Sequence, residues 1–235
     1  MIRRLALGLA AAALAGAAAS LPAAPAKQAA ARDWTKAVAV TPEGGYRIGN
    51  PAAPVKLVEY GSFTCNHCAR FAEQGVPVLL DKYVKSGRVS FEFRNFVRDP
   101  ADMAAALLSR CAATGDYFSL ADRYFRTQPQ WMARIQSTAQ AQQAELAAMS
   151  PRQQVSRFAA LGGLDALAVQ GGIPAAKAQA CLGDAAAVAK LVEMRKVAVE
   201  QHKLEGTPMF LLNGKKAEHV HDWSSLEPLL GSPGG

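Results

Sequence analysis

The sequence predicts an α/β fold built on a single sheet, whose strands fall into two sets separated along the chain by a large block of helices. Three observations carry this reading. Short runs rich in β-forming residues stand at Val55–Tyr60 and Val89–Phe93, and another stands late in the chain at Met209–Leu212. Between the early and late runs lie about 100 residues dominated by Ala, Leu, Gln, Met and Arg, with apolar groups near helical spacing. Neither strand set could bury a face by itself, so one interrupted sheet explains the pattern better than two separate domains. At 235 residues, 50% hydrophobic and 19% charged, the chain has material for one core with a smaller satellite, not for two large catalytic domains.

Arg3 and Arg4 precede an apolar run from Leu5 to about Ala19, and small residues follow, which is the pattern of an export signal. Cleavage is expected after Ala19, with Ala26 as a second candidate site, and the Pro/Ala-rich stretch 20–32 then forms a flexible mature terminus. The alternative is a retained membrane anchor, but the run is short and Ala-rich against the ~20 residues that a spanning helix needs. The first part of the α/β domain is expected over 33–100, the inserted helical domain over 101–185 and the second part of the α/β domain over 186–235.

Trp34 to Val40 can add an edge strand. Arg47 to Pro51 punctuates the chain and introduces Val55–Tyr60, read as an internal strand. Gly61 to Thr64 make a turn, and the residues from Cys65 to about Val84 place Phe71, Val76, Leu79, Leu80 and Tyr83 near helical spacing. Pro77 is expected to kink this helix. After Gly87, Val89–Phe93 alternates as a strand parallel to the first, completing a βαβ unit. Helices are expected over 101–112, 116–126, 131–148, 151–161, 164–169, 174–181 and 185–203. Ser150 reads as an N-cap ahead of a proline at the first helical position, while the polar, Ala-rich 131–148 segment is expected to be exposed. The β pattern returns with Met209–Leu212, the turn Asn213-Gly214 and Glu218–Val220, read as a hairpin, followed by a last helix from Asp222 or Ser224 to Leu230.

The formal net charge of +7 falls by two, to about +5, without Arg3 and Arg4, and the other basic residues are spread among acids. Nucleic-acid binding would need them clustered, so it is not expected. Four cysteines, at 65, 68, 111 and 181, allow three pairings in an oxidising compartment. Spacing favours Cys65 with Cys68, which leaves Cys111 with Cys181 either bridged or as two buried thiols.

Cys65-Asn66-His67-Cys68 carries the chemistry. Two cysteines separated by two residues can bridge within one helical turn and so can store and donate a disulfide. Cys65 follows a strand and turn and is expected at the helix N-terminus, where unpaired N–H groups and the helix dipole lower a thiol pKa. His67 can add a hydrogen bond or a positive charge, and Cys68, one turn in, is expected to be the buried resolving thiol. A stabilised thiolate makes the disulfide oxidising. Zinc is a competing use of such a pair, with His219 and His221 as conceivable further ligands, but those histidines have an ordinary reading as surface residues after a strand, and no metal is expected. A purely structural Cys65–Cys68 bridge is the other alternative.

Glu59 to Cys68, read Glu-Tyr-Gly-Ser-Phe-Thr-Cys-Asn-His-Cys, together with Gly206-Thr207-Pro208-Met209-Phe210, resembles the paired signatures of the DsbA-type periplasmic disulfide oxidoreductases. The resemblance covers about 45–230 and implies a thioredoxin-like fold with the helical domain inserted between the βαβ unit and the C-terminal hairpin and helix. It implies that Pro208 is a cis proline facing the disulfide, that Thr207 precedes it at the substrate groove beside Asn66, and that Glu59 is a buried carboxylate serving Cys68. An ordinary trans proline, and a Glu59 paired with Lys56 or facing solvent, are the plainer alternatives. A non-catalytic bridge such as Cys111–Cys181 is similar to that of some alpha-proteobacterial members. The common family form has proline where this chain has Asn66, which bears on the strength of oxidation.

The implied activity is a protein dithiol oxidase acting on reduced exported polypeptides in the periplasm. The resemblance further implies reoxidation by a DsbB-type membrane quinone reductase, no cofactor and a soluble monomer after signal removal. A reductase or isomerase shares this centre, and a peptide-binding chaperone of the same fold is the alternative outside catalysis.

Overall fold

The computed structural model describes residues 32–231. The expected export signal at 1–19, or to 26, and the stretch 20–31 lie outside the described residues. Strands β1 (Val38–Val40), β2 (Tyr46–Ile48), β3 (Val55–Gly61), β4 (Val89–Asn95), β5 (Met209–Leu212) and β6 (Lys215–Lys216) form one sheet in the order β1-β2-β4-β3-β5-β6. The central strands β3 and β4 are parallel, in register from Val55 with Val89 to Gly61 with Asn95, and the other neighbours are antiparallel.

Helices α1 (Asn66–Gln74) and α2 (Val76–Val78), the latter running on into a π-helical stretch at Leu79–Val84, make the β3-to-β4 crossover. The expected kink takes the form of a break at Gly75. Pro77 has no N–H to return to the preceding turn, and it is accommodated in the first turn of a restarted helix.

Period-two alternation sorts the strand residues between two cores. Leu57, Phe91, Phe93 and Phe210 face a large core that continues into the helical block. Val58, Tyr60, Met209 and Leu211 face a smaller one, closed by Met194 and Ala198 of a long helix over Ala185–Glu200. All seven residues of β4 are buried, including its polar face. There Glu92 accepts from Arg94 Nε (2.6 Å) and from the Thr41 hydroxyl (2.7 Å), and Arg94 also donates to the Tyr60 hydroxyl at 3.1 Å. A buried ion pair is tolerable when its remaining donors and acceptors are used in this way.

The block inserted between β4 and β5 comprises α3 (Pro100–Cys111), α4 (Tyr117–Arg126), α5 (Gln128–Ala141), α6 (Gln143–Ala148), α7 (Pro151–Gly162), α8 (Leu164–Gln170), α9 (Ala175–Leu182) and the long helix, α10. Helix α3 is its axis. Ala104, Ala105 and Ala106 are fully buried there, and their small side chains let α7, α8 and α9 pack closely around it. Ser150 closes a capping box with Gln153 at the start of α7, and Gly163, at φ 66°, ends that helix. A disulfide joins Cys111, the last residue of α3, to Cys181 of α9.

Five expectations need correction. The hairpin partner of β5 is Lys215–Lys216 rather than Glu218–Val220: the two-residue Asn213-Gly214 turn pairs Leu212 with Lys215, and His219 at φ 61° is outside strand geometry. Tyr46–Ile48, which includes Arg47 of the stretch expected to punctuate the chain before Val55, is a strand that joins β1 to the sheet. The helix expected over 131–148 is two, beginning at Gln128, because Pro129 is well placed in a first turn; it buries Trp131, whose Nε1 donates to the Tyr124 carbonyl at 2.9 Å, and Ile135. The helix expected over 185–203 ends at Glu200, and Lys203 takes φ 52°. The last helix is short, α11 (Trp223–Leu226), capped by Asp222 and continued by a 3-10 turn to Leu230.

The Cys111–Cys181 bridge closes a segment 70 residues apart in sequence. On the chain-entropy model a loop of that size restricts the unfolded chain by about 4 kcal/mol. The double substitution Cys111→Ala with Cys181→Ala should therefore lower the unfolding free energy from urea titration by about that amount. A loss under ~1 kcal/mol would show that the bridge does little to restrict the unfolded state.

Candidate active site

Cys65 is the N-cap of α1, with extended backbone at φ −91° and ψ 120°. The first backbone N–H groups of the helix therefore face its sulfur instead of a capping oxygen. The thiol donates to the Thr207 carbonyl at 3.2 Å, and the Thr207–Pro208 peptide bond, in the segment leading into β5, is cis. Cys68 lies one turn into the helix and is fully buried; the two cysteines are unbridged.

The environment drives the two thiols apart. A hydrogen bond from Cys68, aided by the backbone N–H groups of Cys68 and His67, outweighs burial and holds the Cys65 thiol down at about 5. Burial, its hydrogen bond to Cys65 and the charge of Glu59 push the Cys68 thiol well above the ordinary range. Glu59, on β3, is also buried, and its Oε1 has no hydrogen-bond partner. Burial, reinforced by the charge of Cys65, raises its carboxyl well above the usual carboxylate range. A cleft of about 520 Å³, lined by Ala72, Pro77, Phe91 and Phe125 with Lys36 and Asp122 among its polar residues, reaches Glu59.

The structure thus gathers Cys65, Cys68, Thr207 and Pro208, with Glu59 in the same charge network. Asn66 and His67 are exposed at the helix start, and His67 acts on the sulfur through its backbone N–H. Cys111 and Cys181 belong to the helical block. His219 and His221 are exposed beyond the hairpin, and among the described residues no three His, Cys, Asp or Glu side chains gather as a metal site.

Sequence reading missed a second set of residues around the turn ahead of Cys65. Gln128 donates to the carbonyls of Phe63 (2.7 Å) and Cys65 (2.9 Å), and Asp102 accepts from the Ser62 hydroxyl (2.6 Å) and the Phe63 N–H (2.8 Å). Asp99-Pro100 carried a helix-start signal that could have drawn attention to Asp102. Nothing in the local pattern marks Gln128.

Residues 41–231 match the family model described as thioredoxin. The chain belongs to the thioredoxin family. Within it, the interruption of the sheet by a helical block gives the DsbA-like form. A solved structure of a protein-disulfide isomerase from Novosphingobium aromaticivorans superposes with a TM-score of 0.74 at 32% identity, covering 78% of this chain and 94% of that one. Alpha-DsbA1 of Wolbachia pipientis shares the fold, with a TM-score of 0.63 at 22% identity over 79% of this chain and 88% of its own. A curated Rickettsia prowazekii protein, provisionally named a protein-disulfide oxidoreductase, is 27% identical over 173 residues, 73% of this chain and 55% of its own length. The chain thus spans about half the length of the curated relatives it matches.

In this thioredoxin-family site the direction of the Cys65 shift fixes a pH dependence. The native pKa, about 5, is below that of an unfolded thiol, so thiolate stabilisation of the reduced fold is complete above the unfolded value and vanishes as pH falls through 5. The melting temperature of the reduced protein minus that of the oxidised protein should therefore increase from pH 5 to pH 8. Thiolate absorbance of the reduced protein should show a midpoint near 5. A pH-independent difference, or a midpoint near ~8.5, would contradict the activation described here.

Proposed function

We propose that this protein is a thiol:disulfide oxidoreductase that donates the Cys65–Cys68 disulfide to reduced, exported polypeptides during oxidative folding. The observation that carries this reading is the opposed titration of the two thiols, with Cys65 held down at about 5 and Cys68 pushed up. A pair whose reduced form is stabilised by a thiolate has a correspondingly less stable, more oxidising disulfide.

In the proposed cycle a substrate thiolate attacks Cys65 Sγ, the Cys65–Cys68 bond breaks, and Cys68 leaves with the electron pair. Glu59, whose carboxyl burial raises well above the usual range, is suited to pass a proton to the departing Cys68 sulfur, and the cleft offers solvent a route to reload it. A second substrate thiolate then attacks the substrate sulfur of the mixed disulfide. Cys65 leaves as a stable thiolate, so two electrons have passed from substrate to enzyme. The cysteines carry the whole exchange and require no cofactor.

Substrate is expected along the surface formed by Thr207, Pro208, Asn66 and His67, where an extended peptide can pair with backbone groups. The Cys111–Cys181 bridge and the Arg3-Arg4 leader favour an oxidising, periplasmic setting. Reoxidation is assigned to a DsbB-type membrane quinone reductase, and the working unit to a monomer. Among the described residues no helix is long and apolar enough to cross a membrane.

One observation favours a second reading, reductase or isomerase: the 32%-identical Novosphingobium structure is of a protein-disulfide isomerase. The reduction potential separates the two. For the oxidase it should lie at about −120 mV in a glutathione buffer, above the roughly −180 mV of protein disulfide isomerase, and a value near the roughly −270 mV of thioredoxin would overturn the reading. Cys68→Ser should accumulate mixed disulfides with substrate, and Cys65→Ser should abolish oxidative refolding of a reduced client. Refolding help that survived Cys65→Ser would point instead to a peptide-binding chaperone.

A further inference from the structure

The turn from Ser62 to Cys65 is held almost entirely by residues of the helical block and the loop leading into it. Asp102 Oδ2 accepts from the Ser62 hydroxyl (2.6 Å) and the Arg98 N–H (3.0 Å), and its Oδ1 accepts from the Phe63 N–H (2.8 Å). Asp99, the N-cap of α3, accepts from the Thr64 hydroxyl at 2.8 Å and from the Asp102 N–H at 2.9 Å. Arg98 donates through Nε to Ser62 Oγ and through Nη2 to Thr64 Oγ1, each at 3.0 Å. On the other side Gln128, at the start of α5, uses Nε2 to bond the carbonyls of Phe63 and Cys65. Asp102 and Gln128 are both buried, at 1% and 5% exposure.

We propose that Asp102 and Gln128 are positioning residues for disulfide exchange, clamping the Ser62–Cys65 turn to the helical block so that the Cys65 sulfur stays over the N-terminus of α1. The inference rests on the oxidoreductase reading above. Its physical basis is geometric. A helix N-terminus stabilises an anion only within its first turn, so displacement of the sulfur weakens the effect steeply. Cys65 has no side-chain cap to fix it, and its backbone is extended rather than helical. Among the described residues its carbonyl takes bonds from Gln128 and from the Ala69 N–H at 3.1 Å alone, and its N–H goes to the Ser62 carbonyl at 3.2 Å. The sulfur's position therefore depends on where Ser62 and Phe63 are held.

Burying Asp102 opposes its ionisation, and Asp99 adds to the effect, so the carboxyl is raised to about 7 despite its hydrogen bonds. Such a group is costly to bury for packing alone. Its two oxygens are matched to three donors, and an amide cannot reproduce that: in Asp102→Asn the NH₂ group must face either the Phe63 N–H or the Arg98 N–H. Gln128→Met nearly preserves volume and removes both donors. Neither substitution touches the sulfur or the substrate.

The test measures the Cys65 thiolate midpoint by absorbance and the reduction potential in wild type, Asp102→Asn, Gln128→Met and Leu146→Ala. Leu146 is buried on α6 and supplies a destabilised control outside the clamp. Each clamp variant should raise the midpoint by at least one pH unit, a tenfold fall in the thiolate-to-thiol ratio at any given pH, and make the potential more negative, a tenfold change in equilibrium being about 30 mV. Leu146→Ala should lose stability and leave both readouts unmoved. Folded clamp variants with wild-type midpoints, or an equal shift in Leu146→Ala, would overturn the inference. If neither clamp variant folds, Ser62→Ala, which removes one hydroxyl from the same network, decides by the same readouts. A wild-type midpoint near ~8.5 would instead defeat the oxidoreductase reading itself.

Discussion

An α-helix that starts on a cysteine leaves its first backbone N–H groups pointing at a sulfur, and the rest of this structure serves to keep that arrangement in place. The strand that delivers Cys65, β3, lies in the middle of the sheet between a parallel and an antiparallel neighbour. Its end point is fixed by hydrogen bonds on both edges, and so is the origin of α1. The antiparallel register pairs Tyr60 with Met209, so the chain just before β5 runs back past the end of β3. That places the Thr207 carbonyl against the sulfur, in the hydrogen bond observed. Two elements distant in sequence thus meet at one atom because one strand has two partners.

The same strand supplies the opposing charge. Alternation along β3 sends Leu57 and Glu59 to the face that carries the large core, beneath α1, and Val58 and Tyr60 to the other. A carboxyl group there cannot ionise freely, for it is surrounded by apolar side chains and near a thiolate. The outcome is a gradient over a few residues: an anion favoured at the helix tip, and ionisation opposed at Cys68 and Glu59 behind it. Stabilising the anion outside while withholding charge inside is what gives the pair unequal sulfurs, one fit to be attacked and to leave, the other fit to be released only with a proton.

Much of the fold could be read from local pattern. Val55–Tyr60 and Val89–Phe93 are long enough for β composition to register, and Ser150-Pro151 and Asp222 announce helix starts by side chains that cap their own neighbours. Tyr46–Ile48 is three residues long, too short for alternation to appear, and it is a strand because β4 pairs with it. The hairpin was legible at its turn and illegible beyond, since a left-handed residue at His219 leaves no compositional trace. At the site, the spacing of Cys65 and Cys68 is visible because both residues lie on one helical turn. Gln128 and Asp102 carry no local sign of a link to that turn, because they meet Phe63 from 65 and 39 positions away; Asp102 shows only a helix start and Gln128 not even that.

The position of the helical block follows from the same geometry. It enters after β4 and leaves before β5, the two strands that flank β3, so both of its connections to the sheet lie next to the strand that carries the site. The α3 terminus begins immediately past β4 and presents Asp99 and Asp102 to the amide and hydroxyls of the turn, while the start of α5 presents Gln128 to its carbonyls. Phe63, in the middle of the turn, points its ring the same way, against Tyr124 and Phe125 of α4. A turn with its backbone polar groups bonded to one body and its apolar side chain buried in it moves with that body. The helical block is thereby part of the active-site framework, and its packing about α3 bears on the chemistry at Cys65 as directly as the sheet does.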